Sequence, residues 1–121
     1  MPDHDSSPWR ANLQALLGEL PAGPSATYPE GVPFIDAMNH HSMSVELFQP
    51  EGEDVQQPHD QDELYVVVAG RAVFERDGEH VECASGDVLF VPAGMRHRFH
   101  EMEDEFATWV IFWGPLGGEA S

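Results

Sequence analysis

From Phe34 to Trp113 the chain is cut into short segments by turn-forming residues, a rhythm that suits strands and leaves no room for long helices. Asp77-Gly78 separates Arg71–Arg76 from Glu79–Cys83 and is a strong two-residue hairpin signal, because both positions of that tight turn take a positive φ. Gly70 ends the valine-rich run Glu63–Ala69, and Ser85-Gly86-Asp87 turns the chain into Val88–Val91. Pro92-Ala93-Gly94 turns it again into Arg96–Glu101, and Phe106–Trp113 closes the series. Upstream, Met43, Val45 and Leu47 alternate with Ser42, Ser44 and Glu46, the two-residue period of a half-buried strand. About seven short strands at this spacing predict an all-β sandwich or small barrel.

The segment before Phe34 differs. Ser7-Pro8 reads as an N-cap followed by proline at the first helical position. Trp9, Leu13, Leu16, Leu17 and Leu20 recur at helical spacing and predict a short N-terminal amphipathic helix of about three turns. Pro21, Gly23 and Pro24 end it. The expected organisation is therefore a tail, helix and connector over 1–33, a barrel over 34–116 and a C-terminal tail over 117–121. The closing strand is apolar on both sides: Phe106, Val110 and Phe112 on one, Ala107, Trp109, Ile111 and Trp113 on the other. One set meets the barrel interior. The other needs a cover, either the helix or a second subunit, and a homodimer is expected.

Charge acts mainly as an exclusion. The 121 residues carry 22 Asp and Glu against five Arg and no Lys, a formal net charge of −17. Such a surface repels nucleic acid and anionic membranes, so neither is an expected partner. Cys83 is the sole cysteine, which rules out an intramolecular disulfide and a cysteine-based zinc knuckle. No run approaches the ~20 apolar residues of a membrane helix. The start Met-Pro-Asp-His-Asp is acidic where a secretory signal is basic, so a cytoplasmic location is expected.

Two segments concentrate chemistry. In an extended stretch Gln57, His59, Gln61 and Glu63 share a face, and a face turned into a barrel carries an imidazole and a carboxylate into apolar space. His97 shares a face with Phe99 on a later strand. An ionised carboxylate buried there needs compensation, which a cation supplies. His59, Glu63 and His97 offer two imidazoles and one carboxylate, a set suited to Fe(II), Mn(II), Ni(II), Co(II) or Zn(II) with positions left open. The alternative is a hydrogen-bonded cluster in a metal-free barrel. Gln57 is either a fourth ligand through its amide oxygen or a hydrogen-bonder that orients His59 or a bound water. Gln61, Tyr65, Phe90, Phe99 and His41 are candidate residues of a substrate pocket, with core packing the alternative for the aromatics. His40, His80 and His100 read as solvent-facing, and the acidic runs 51–54 and 101–105 as solvated loops.

At these residues the sequence resembles the cupin superfamily. His59-x3-Glu63-x6-Gly70 is similar to the second half of the family's first motif, and Gly86-x5-Pro92-x-Gly94-x2-His97 matches the second motif without a gap. Gln57 stands where the first motif has its first histidine, and Glu101 where the second has asparagine. The resemblance implies a jelly-roll β-barrel holding one divalent transition metal at its mouth. It also implies a small-molecule enzyme, dioxygenase-like or an isomerase or decarboxylase. The alternative is a non-catalytic cupin that binds a small ligand with a weakened or absent metal site.

Overall fold

Asp77 and Gly78 adopt φ of 50° and 87°, as a tight hairpin turn requires, and the strands they join pair along their whole length. In the computed structural model, which describes residues 8–119, there are eight strands. They are β1 (Phe34–His40), β2 (Met43–Phe48), β3 (Asp62–Ala69), β4 (Arg71–Arg76), β5 (Glu79–Ala84), β6 (Val88–Val91), β7 (His97–His100) and β8 (Ala107–Trp113). All pairings are antiparallel: β1-β2-β8-β3-β6 form one sheet and β5-β4-β7 the other. This is the β sandwich that the turn spacing predicted, in the jelly-roll form that the resemblance implies.

Register decides which side chains face inward, because directly paired residues share a face. One row crosses the large sheet as Glu46, Val110, Tyr65 and Leu89, and the next as Ser44, Phe112, Glu63 and Val91. These rows face the small sheet. Between the sheets Tyr65, Phe74, Phe99 and Phe106 are fully buried, with ring centroids 4.8 to 5.6 Å apart between neighbours. Each such aromatic pair adds about 1 kcal/mol beyond the area it buries.

The opposite rows, Val45-Ile111-Leu64-Phe90 and Leu47-Trp109-Val66-Val88, form the outer face. The alternation of β2 therefore has the reverse sense to the one expected: Ser44 and Glu46 point inward, and Met43, Val45 and Leu47 point outward. Leu47 is nonetheless fully buried, and the short helix α1 (Leu13–Leu17) contacts its strand. The helix is shorter than its apolar spacing suggested. Asn12 caps it, accepting from the Ala15 amide at 2.9 Å, so residues 8–12 stay outside it and Trp9 is exposed. Ser7, the expected cap, lies outside the described residues.

The 49–61 segment is not a simple solvated loop. Asp54 is buried, and its carboxylate accepts from the Phe99 amide at 2.8 Å and from Gln56 Nε2 at 2.6 Å, pinning the loop to β7. Gly70, at the turn from β3 to β4, has φ of 72° and sits so close to Phe106 that a Cβ would lie 2.9 Å from its backbone. At Gly78 a Cβ would meet nothing. Gly78→Ala should therefore cost about 1 kcal/mol from left-handed strain alone. Gly70→Ala should cost about 3 kcal/mol, since overpacking against backbone adds to the same strain. Urea denaturation of the two variants checks the difference.

Candidate metal centre

Two contacts bring the distant motif segments together, and a third ties in the C-terminal segment. The Gly94 amide donates to the His59 carbonyl at 2.8 Å. Asp62, buried at the start of β3, accepts from the Ala93 amide at 2.9 Å through one oxygen and from the Glu119 amide at 3.0 Å through the other. The bends at Asp60 and Gln61 and the turn at residues 92–94 are thus held side by side, and the next inward residues on each side are Glu63 and His97.

Glu63 Oε1 accepts from His59 Nδ1 at 2.7 Å and lies 3.0 Å from His97 Nε2. The Nδ1–H of His97 donates to the Met95 carbonyl at 2.9 Å, because a carbonyl can only accept. That bond fixes the ring and turns Nε2 toward the carboxylate. Although close, Nε2 is misaligned with Oε1, so it makes no hydrogen bond, and Glu63 Oε2 makes none either. Both atoms are buried. Such orphans cost about 1–3 kcal/mol each, more where charge is involved. A cation accepting both lone pairs removes that cost, so the donor set fits a divalent transition metal. Ligand atoms bonded to a metal at ~2.1 Å stand about 3 Å apart, close to the separations found here.

The electrostatics agree with the crowding. Burial pushes the Glu63 carboxyl up, but the adjacent His59 and His97 imidazoles overcome it and hold the group below its ordinary value. Burial likewise opposes charge on His97, and Glu63 reverses the shift and raises it. Burial with the nearby Glu63 and Asp54 charges pushes the Tyr65 hydroxyl well up, so it stays protonated and donates to Gln56 Oε1 at 3.0 Å.

Through His59 the centre borders a cavity of about 640 Å³ against the inward face of the large sheet, walled by Ser44, Glu46, Gln56, Tyr65, Val110 and Phe112. Glu46 is a site residue that sequence reasoning missed. Its strand ends in Leu47-Phe48, apolar on both parities, so the two-residue period does not say which side is inside. Burial and Asp36, directly opposite on β1, push the Glu46 carboxyl up to about 7.

Of the expected site residues, His59, Glu63 and His97 come together. Gln57 is exposed at the cavity rim, and the amide that turns inward is that of Gln56, because the segment before β3 is bent rather than extended. Gln61 lines the cavity, with its amide bound to the Ser42 and Gly114 carbonyls, each at 2.9 Å. Tyr65 also lines it. Phe90 does not: it pairs with Leu64 in an outer row, 45% exposed beside Trp113. Phe99 faces inward but is consumed by the aromatic core. His41 is exposed in the β1–β2 turn with φ of 50°.

The sequence profile described as Cupin domain matches residues 44–113. An uncharacterised protein of Streptomyces coelicolor is 37% identical over 84 residues, which cover 68% of this chain and 80% of that one. The polyketide synthase CurC of Streptomyces cyaneus is 33% identical over 82 residues, 65% of this chain and 52% of that protein, so the match spans about half its length. The crystal structure of a cupin-2 domain containing protein from Shewanella frigidimarina superposes with a TM-score of 0.64, covering 83% of this chain and 90% of that one. At 20% identity this last likeness is one of fold.

The raised pKa of Glu46 has a signed consequence for the metal-free protein. Folded chains keep a proton that unfolded chains release between the ordinary value of 4.5 and about 7. Stability therefore falls as pH rises through that window. Glu46→Gln should be about 1–3 kcal/mol more stable than wild type at pH 8 and equal to it at pH 4, by urea denaturation.

Proposed function

Because this chain belongs to the Cupin domain family, we propose that His59, Glu63 and His97 hold one divalent transition metal and present it to a small organic molecule in the barrel. One observation carries the reading: His97 Nε2 and Glu63 Oε2 are buried and unpaired, on side chains that approach to 3.0 Å. Fe(II), Mn(II), Ni(II), Co(II) and Zn(II) all suit two imidazoles and a carboxylate. When bound, such an ion supplies Lewis acidity to a hydroxyl, carboxylate or enediol oxygen.

The chain's own residues divide the remaining work. Glu46, on the cavity wall, is placed to take or return a proton. The Tyr65 hydroxyl and the Gln56 amide, locked by Asp54, orient polar substrate groups. Phe112 packs edge-on against His59 at 5.0 Å and with Val110 keeps one wall apolar. The similarity to a polyketide synthase supports a substrate with neighbouring keto, enol or phenol oxygens. Dioxygenase-like cleavage, isomerisation and decarboxylation all proceed from such a complex. The rim position of Gln57 favours a second reading, a binder of such molecules whose three-ligand site does no chemistry.

The outer face of the large sheet supports a homodimer. The α1 helix contacts β2, while Val88 is 60% and Phe90 45% exposed at the far edge. Light scattering should give a dimer that Phe90→Asp splits into monomers, and a wild-type monomer overturns that assignment.

Protein purified without added metal should retain about one transition ion per chain, since three protein ligands form an open site. His59→Ala and His97→Ala should each remove it while circular dichroism stays unchanged. Survival of that metal in both variants sinks the ligand assignment. Oxygen uptake and product analysis across catechols, diketones and flavonols separate enzyme from binder. In the enzyme, Glu46→Gln should cost about 100-fold in kcat without loss of metal.

A further inference from the structure

A second trio of the same residue types lies on the opposite side of the small sheet. On its central strand, Glu75 pairs directly with His80 of β5 and Arg98 of β7, and Val73 pairs with His100. Residues two apart on a strand share a face, so Glu75, His80 and His100 share one, with β4 supplying the carboxylate and each edge strand an imidazole. This is the face turned away from the core, since the inward residues of β4 are Ala72 and Phe74.

The contacts are close. His100 Nε2 lies 2.6 Å from Glu75 Oε1, and His80 Nε2 lies 3.8 Å from the same oxygen. All three ligand atoms fall within 4.8 Å of one another, and the imidazole centroids are 5.8 Å apart. A metal with bonds of ~2.1 Å places its ligand atoms about 3–3.4 Å apart, midway between the two distances found. Changes of about half an ångström in side chains that reach solvent satisfy it. The backbone need not move, because β4 is bonded to both neighbours through this segment.

We propose that Glu75, His80 and His100 form a second divalent-cation site, on the solvent face of the small sheet and independent of the barrel centre. Two imidazoles and one carboxylate select borderline cations such as Zn(II), Ni(II) and Cu(II) over Mg(II) and Ca(II), which prefer all-oxygen shells. The hydrogen bond from His100 keeps the Glu75 carboxyl below its ordinary value, so the oxygen ligand is ionised at neutral pH. Arg98 on the same face opposes cation binding, while Glu82, paired with Val73 beside His80, favours it. The net charge of −17 tips the surrounding field the same way. Water fills the remaining coordination positions, as expected where the side chains of His80 and His100 are 57% and 37% exposed.

The test is a Zn(II) titration of the metal-free protein against a chromophoric chelator, run in two backgrounds. In the double variant His59→Ala/His97→Ala, which lacks the barrel ligands, Zn(II) should still bind at one equivalent per chain. It should also shift and broaden the His80 and His100 imidazole NMR signals. Adding His100→Ala or Glu75→Gln should weaken that binding by about tenfold or more, the loss that even indirect partners of a ligand cause. In wild type, His80→Ala/His100→Ala should leave the barrel equivalent intact. The proposal is overturned if the barrel-deficient variant binds no Zn(II), or binds it with affinity unchanged by both His100→Ala and Glu75→Gln. Failure of the barrel site leaves this result standing, because its ligands are removed from the start.

Discussion

The barrel is organised around a carboxylate it cannot solvate. Glu63 sits at 1% exposure between His59 and His97, with one oxygen crowded by two imidazoles and the other bonded to nothing. A core built for stability alone would place an apolar residue there, since isosteric hydrophobes usually match or exceed a buried ionic cluster. Holding Glu63 inward sets the register of β3, which in turn fixes the inward rows of β6, β8 and β2. The cavity and its Glu46 wall follow from that register.

Much of the acidic excess is solvated, yet several carboxylates do structural work. Asp62 ties β3 to the turn before His97 and to the C-terminal segment, and Asp54 fastens the 49–61 loop to β7. Both accept backbone N–H groups that have no strand partner, so they replace ladder bonds where the chain is irregular. Environment separates the two Glu/His trios more than composition does. His59, Glu63 and His97 leave orphaned atoms in a buried space, whereas Glu75, His80 and His100 reach water and trade with it.

Much of this was legible from residue order. Turn residues such as Asp77-Gly78 act locally, so strand limits from β3 to β8 follow the sequence to within about a residue or two, the usual ambiguity of strand ends. The clustering of His59, Glu63 and His97 was legible because the second motif and the second half of the first keep their spacing. Other readings failed where one parity served two faces. Phe90 and Phe99 are both strand aromatics, but partner register sends one to solvent and the other to the core. The Gln56 amide, not that of Gln57, turns to Tyr65 because the bend before β3 breaks alternation. Trp9 kept helical spacing yet lies beyond the cap set by Asn12.

The sequence by itself determined an all-β chain of short antiparallel strands, the pairing of His59 and Glu63 with His97, and a strongly acidic net charge. These rest on local turn chemistry, motif spacing and charge, none of which needs a partner strand to be known. Only the tertiary structure decided that Ser44 and Glu46 face inward, that the Gln56 amide rather than that of Gln57 bonds Tyr65, and that His80 and His100 meet at Glu75. Each of those depends on cross-strand register, a relation between residues far apart in the chain, and a strand's two faces are interchangeable until its neighbours choose between them.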